Sequence, residues 1–87
     1  MMIHFRGRRL RKIKSDHFNH RFYERIGKFS MEKTNGIVMD ILNQIENSRG
    51  SKVGLGYYKH SVFVLGVPCI VVYDKDKNEL KTIWRNV

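Results

Sequence analysis

Three side chains that could act on a phosphate group recur every four residues near the start of the chain. His17, Arg21 and Arg25 lie in the stretch SDHFNHRFYERIG, with His20 and Glu24 between them. Because each helical residue rotates by about 100°, this spacing keeps the three on one side of a helix, where like charges repel. A bound anion would offset that repulsion, so the set predicts a phosphate-binding surface.

The residues around this set predict a helix over 15–27. Ser15 is a suitable N-cap, Gly27 a suitable residue after the last turn, and an apolar stripe recurs at intervals of four: Phe18, Phe22 and Ile26. The cationic row should therefore lie at the border of the core or in a cleft. The alternative is a solvent-exposed helix flank in which Glu24 pairs with Lys28 at i, i+4.

A second helix is predicted over 31–47, capped by Ser30, with Gln44 facing water and an apolar face made by Val38, Ile41, Leu42 and Ile45. Four strands follow, over 53–58, 61–65, 69–73 and 80–84. The short connections require antiparallel pairing. The continuously apolar run 69–73 should be a central strand. We expect an α+β domain in which N-terminal helices pack on a four-stranded antiparallel β-sheet.

The predicted sheet also places several candidate functional residues. His60 is placed in a hairpin turn, where a solvated side chain is the simplest expectation. In the last strand, Leu80, Thr82 and Trp84 should share one face of the sheet by alternation.

The charge of the chain points to an anionic partner. The 87 residues contain 17 Lys and Arg against 8 Asp and Glu, a net charge of +9, which favours RNA, DNA or an acidic protein. Residues 1–14 form a basic arm, and 15–87 form a single domain. The arm is either a solvated tail or a phosphate-tracking segment, with Arg6, Arg8, Arg9, Arg11, Lys12 and Lys14 as its cations.

Several classes of protein are disfavoured. No apolar run approaches the roughly 20 residues needed to cross a bilayer, and charge interrupts any signal-peptide core, so we expect a cytoplasmic protein without a membrane partner. The single Cys69 excludes an internal disulfide and a Cys-based zinc cluster. His17 and His20 lack a third ligand at useful spacing, and no cofactor-binding loop is present, so we expect neither metal nor cofactor.

With these motifs in place, the chain resembles the barnase–colicin–RelE class of small, metal-independent ribonucleases, which includes toxin-like domains. The class opens with a helix of the form Ser-x-His-x-x-x-Arg-x-x-x-Arg, here Ser15 to Arg25, and ends in a strand with an Ile/Val-x-Thr-aromatic pattern, for which this chain has Leu80-Lys81-Thr82-Ile83-Trp84. The family usually has Gly directly after the second Arg, whereas Ile26 intervenes here.

The resemblance implies a RelE- or barnase-like fold and cleavage of RNA by attack of the 2′-hydroxyl group. His17 would transfer a proton, Arg21 and Arg25 would hold the phosphate, and Thr82 would bond the phosphate or fix a catalytic partner. The second proton-transfer group is open among His20, Glu24 and His60, with His20 preferred because it is nearest in sequence. The candidates for RNA binding outside the arm are Tyr58, Trp84 and Arg85.

Two other interpretations stay open, and the first of them involves no catalysis. A phage- or plasmid-type protein of the same fold could hold nucleic acid or block an acidic host enzyme. A toxin-like domain could act on free or ribosome-bound RNA under the control of an acidic antitoxin that covers its cleft. His17 distinguishes a non-catalytic binder from a nuclease, because a binder should tolerate the loss of this side chain whereas a nuclease should not.

Overall fold

Two helices precede a four-stranded antiparallel sheet in the computed structural model, which describes residues 14–86. The order is α1 (Asp16–Arg25), α2 (Met31–Glu46), β1 (Ser51–Gly54), β2 (Tyr57–Val64), β3 (Val67–Asp74) and β4 (Glu79–Arg85). Neighbouring strands in sequence are neighbours in the sheet, with the order β1-β2-β3-β4. The predicted α+β architecture is confirmed. The cations of the arm other than Lys14 lie outside the described residues.

Both helices begin where their capping residues predict. The Ser15 hydroxyl accepts a hydrogen bond from the Phe18 amide at 3.0 Å, and the Ser30 hydroxyl accepts one from the Lys33 amide at 3.1 Å. Gly27 ends α1 with a φ of +145°, and its amide donates to the Phe22 carbonyl at 3.1 Å. These local signals fix where the two helices begin and where α1 ends.

The core lies between the helices and one face of the sheet. Phe18 and Phe22 of α1 are completely buried, and Ile41 of α2 packs in the same cluster. The sheet contributes Val62, Val64, Cys69, Val71, Leu80 and Ile83. β3 lies between β2 and β4, as predicted for a central strand. Burial of these apolar side chains therefore holds α1 against the sheet.

The first two strands differ from the prediction. The turns fall at Leu55-Gly56 and Leu65-Gly66, and the positive φ values of 79° at Gly56 and 81° at Gly66 are those that glycine adopts most easily. The expected strand over 53–58 is wrong, because it spans the first of these turns. The expected turn at His60 is also wrong: His60 lies within β2 and is only 6% exposed.

A β-bulge changes which residues of β4 face the helices. Leu80 pairs with Tyr73 and Thr82 pairs with Val72, so Lys81 is an extra residue in the strand. Because of this insertion, Leu80 and Ile83 both face the core. The prediction that Leu80 shares a face with Thr82 and Trp84 is therefore wrong. Thr82 and Trp84 lie on the face of the sheet opposite the helices.

Gln44 was expected to face water, but it binds the backbone of β2. Its amide nitrogen donates to the Phe63 carbonyl at 2.8 Å, and its amide oxygen accepts from the Phe63 amide at 2.8 Å. β1 pairs only with the first part of β2, from Tyr57 to Lys59. The Gln44 amide thus takes the place of a neighbouring strand beside Phe63.

Candidate functional site

Helix α1 and the segment before it lie along the outer edge of β4. The Ser15 amide donates to the Leu80 carbonyl at 2.9 Å, and the Ser15 hydroxyl donates to the Lys81 carbonyl at 3.2 Å. At the other end of the helix, Nη1 of Arg25 donates to the Ile83 carbonyl at 3.2 Å. These bonds fix the helix along the strand. We call the surface that carries His17, His20, Arg21, Arg25 and Arg85 the α1–β4 face.

Two arginines are bonded to backbone carbonyls at the C-terminal end of α1. Nε of Arg85 donates to the backbone carbonyl of Arg25 at 2.8 Å, and the Arg25 side chain donates to the carbonyl of Ile83. The partial negative charge at a helix C-terminus favours cations there. Among residues 14–86, neither Arg25 nor Arg85 makes an ion pair with a carboxylate. Each guanidinium has five N–H donors, so both retain donors for an anion.

The carboxylate of Glu24 contacts two basic side chains of α1. Oε1 of Glu24 lies 2.7 Å from Nη1 of Arg21, and its Oε2 lies 3.3 Å from Nε2 of His20. The predicted ion pair between Glu24 and Lys28 is therefore wrong, because the acid turns back toward the preceding turn of α1. The solvent-exposed flank of the same alternative is confirmed instead of a cleft, since His17 and Arg25 are exposed and Arg21 is half-buried. The hydrogen bond from Arg21 is the main reason that the pKa of Glu24 is lowered. Glu24 is consequently ionised at neutral pH and offsets part of the charge of Arg21.

His17 lies one turn before Arg21 and is exposed to solvent. His20 is also exposed, with 67% of its side chain accessible. The two are three residues apart on α1, a spacing at which side chains are neighbours on the helix surface. The helix therefore presents two imidazoles beside its arginines. His60 lies elsewhere, on the core side of β2, where it cannot join this pair on the helix surface.

The remaining predicted residues are divided between the two faces of the sheet. Thr82 is half-buried and lies between the two β4 carbonyls that Ser15 and Arg25 bind. Thr82 and Trp84 lie on the open face, whereas Tyr58 pairs with Tyr73 on the helix side. Lys14 joins the sheet through an isolated parallel bridge to Leu80. Only Arg85 of the predicted RNA-binding residues is hydrogen-bonded to α1 within the described part of the chain.

Residues 14–86 contain no group of three His, Cys, Asp or Glu side chains that could hold a metal ion. Among the described helices, none combines the length and the apolar character needed to cross a membrane. The site is thus defined by arginine, histidine and a carboxylate, which together can bind an anion and move protons.

Comparisons with protein-family models, with curated proteins and with solved structures gave no match to this chain. The resemblance to small ribonucleases consequently rests on the motif residues of α1 and β4.

Proposed function

We propose that this protein binds RNA on the α1–β4 face and cleaves it there as a metal-independent endoribonuclease. The observation that carries the proposal is that Arg25 and Arg85 are both bonded to backbone carbonyls near the C-terminal end of α1, and that neither pairs with a carboxylate among residues 14–86. Two such guanidiniums suit a phosphodiester, since each can donate two parallel hydrogen bonds to it. The net charge of +9 adds attraction over a longer range.

The reaction is a transesterification within the RNA. The 2′-oxygen forms a bond to the adjacent phosphorus, its proton passes to a base, and the bond from phosphorus to the 5′-oxygen breaks as that oxygen receives a proton from an acid. The products are a 2′,3′-cyclic phosphate and a 5′-hydroxyl group. Arg25 and Arg85 would stabilise the added negative charge on the phosphorus oxygens.

The two imidazoles of α1 are the proposed proton-transfer groups. His17 is exposed and follows Ser15 at the start of the helix, and His20 is its neighbour one turn on. Glu24 is ionised at neutral pH because its pKa is lowered, so it can accept a proton but cannot serve as the acid. Its contact with Nε2 of His20 gives it a positioning role. Thr82 lies on the face of β4 opposite the helices, so it takes no part in this proposal.

A second candidate function is RNA binding without cleavage. The observation in its favour is the pairing of Glu24 with both Arg21 and His20, which leaves fewer unpaired groups for chemistry. In such a binder His17 would have no role. An acidic host protein or antitoxin could occupy the same face, because its carboxylates would meet the same arginines.

The test combines cleavage and binding on the same variants. Purified protein is incubated with mixed cellular RNA in excess chelator, and with ribosomes in parallel, and binding is measured on a short RNA whose 2′-hydroxyls are methylated. His17→Ala should lose cleavage and keep binding. Tyr23→Ala, an exposed change on α1, should retain both. Intact RNA in every reaction, with salt-sensitive binding retained, would support the binder instead.

A further inference from the structure

A cavity of about 320 Å³ lies where the C-terminal end of α2 meets the sheet. Ser48 and Arg49 line it from the segment after the helix, and Tyr58 and Tyr73 line it from β2 and β3. A second cavity of the same volume adjoins it, since both share the wall made by Ile45, Glu46 and Tyr73. This size is at the lower end of the range for small-molecule sites, roughly 300–1,000 Å³.

The cavity contains a buried imidazole. Nδ1 of His60 lies 2.8 Å from the Ser48 hydroxyl, and its ring contacts Tyr73 edge to face at 6.3 Å between centroids. Gly50 makes room for this ring, because a Cβ at that position would come within 2.7 Å of Nε2. Burial lowers the pKa of His60, so the ring is neutral at pH 7. It therefore adds hydrogen-bonding groups without adding charge.

The charged side chains of the cavity have both signs. Arg49 and Lys75 supply two cations, and Nζ of Lys75 lies 5.8 Å from the centre of the Tyr58 ring. Glu46 supplies one carboxylate. Aromatic walls, two cations and one carboxylate match a nucleotide: the base can stack on a tyrosine, its phosphate can meet the cations, and its amine can donate to the carboxylate.

The cavity is close to the start of α1. Tyr73, one of its walls, pairs with Leu80 in β4, and Leu80 accepts a hydrogen bond from the Ser15 amide. Two strand spacings, or about 10 Å, therefore separate the backbone of Tyr73 from that of Ser15. His17 follows two residues later, in the first turn of the helix. An extended RNA strand can reach both places.

We propose that this cavity binds one unpaired nucleotide of the RNA strand held on the α1–β4 face, and that it prefers a base with an exocyclic amine over uracil. The inference rests on the proposed function and deepens it, because it assigns a specificity site to an otherwise sequence-independent surface. Glu46 distinguishes the bases, and Arg49 holds the phosphate.

The experiment is a titration followed by backbone amide NMR, with cytidine monophosphate, uridine monophosphate and inorganic phosphate as probes. Cytidine monophosphate should saturate shifts at residues 46–50 and 58–60, and uridine monophosphate should bind several-fold more weakly. Arg49→Ala should weaken binding by about tenfold through loss of a charge-assisted contact. Glu46→Gln should remove the difference between the two nucleotides. Lys33→Ala, an exposed change at the opposite end of α2, should alter neither.

Equal shifts with inorganic phosphate and with both nucleotides would overturn the proposal, because the site would then recognise charge alone. Absence of saturable shifts at the cavity would also overturn it. Arg49 and Glu46 are exposed, so their variants should fold, and thermal melting curves check this. RNA cleavage that depends on His17, without nucleotide binding in the cavity, would refute this inference alone. Nucleotide binding by a protein that neither binds nor cuts RNA would refute the proposed function and support the cavity as a nucleotide site.

Discussion

Replacing Arg25 with alanine should weaken RNA binding much more than it weakens the fold. The bond from Nη1 to the Ile83 carbonyl is 3.2 Å long and only partly buried. Its loss should cost at most about 1 kcal/mol of unfolding free energy, which lowers Tm by roughly 4–8 °C in a domain of this size. A phosphate contact to a charged donor contributes on the order of 1.5–3 kcal/mol, so the Kd for RNA should rise about 10- to 100-fold.

Fluorescence anisotropy with a labelled single-stranded RNA, measured at several salt concentrations, tests this estimate. The slope of log K against log salt should fall by about 0.7 when one phosphate contact is lost. Arg25→Lys keeps the charge and loses the planar fork, so its slope should stay near that of the wild type while its affinity falls.

Lys52→Ala is the matched control, since Lys52 is exposed on β1, at the opposite edge of the sheet from β4. Lys52→Ala should reduce the affinity for RNA only by the small amount expected when any exposed cation is removed. If Arg25→Ala and Lys52→Ala reduce affinity and salt slope equally, Arg25 has no specific phosphate contact and the reasoning is refuted.

Three further predictions concern the framework of the site. Gly50→Ala should destabilise the fold by about 2 kcal/mol or more in urea titrations, because φ is +72° and the new Cβ would lie 2.5 Å from Cε1 of His60; an unchanged midpoint would contradict the close contact. Burial lowers the pKa of His60, so the unfolded chain binds a proton at this residue more readily than the folded chain does. The contribution of His60 to the free energy of unfolding should therefore be present above about pH 6.5 and be lost as the pH falls from there toward the folded-state pKa. His60→Gln should remove that part of the pH dependence, and an unaltered profile would exclude His60 as its source. Gln44→Ala should cost about 1–2 kcal/mol and increase light scattering, since it exposes the backbone of Phe63; Gln44→Glu, which can accept but cannot donate, should restore only part of the loss.

The helices could be predicted from the sequence because their signals are local. Ser15 and Ser30 cap helices that begin one residue later, and the spacing of Phe18 and Phe22 identified the buried side of α1. The positions of His17 and Arg21 followed directly, since neighbours on one helix are fixed by its geometry.

Contacts between different helices and strands could not be predicted from such local signals. The bulge at Lys81 inserts one residue into β4 and reverses the faces on either side of it, which strict alternation cannot foresee. The partnership of Arg85 with Arg25 joins residues 60 positions apart, and that of Ser48 with His60 depends on where α2 ends over the sheet. The turn at Leu55-Gly56 did have a local signal, the glycine at its second position, but an apolar and aromatic run surrounds it.

The most direct test of RNA cleavage is analysis of the RNA ends after incubation with an excess of protein and a chelator, wild type beside His17→Ala. Excess protein gives a single turnover, so weak binding by a variant cannot be mistaken for slow chemistry. The wild type should produce 2′,3′-cyclic phosphates and 5′-hydroxyl ends, and His17→Ala should leave the RNA intact while it remains bound. Equal cleavage by the two proteins, or intact RNA with both in the presence and absence of ribosomes, would contradict a ribonuclease that uses His17.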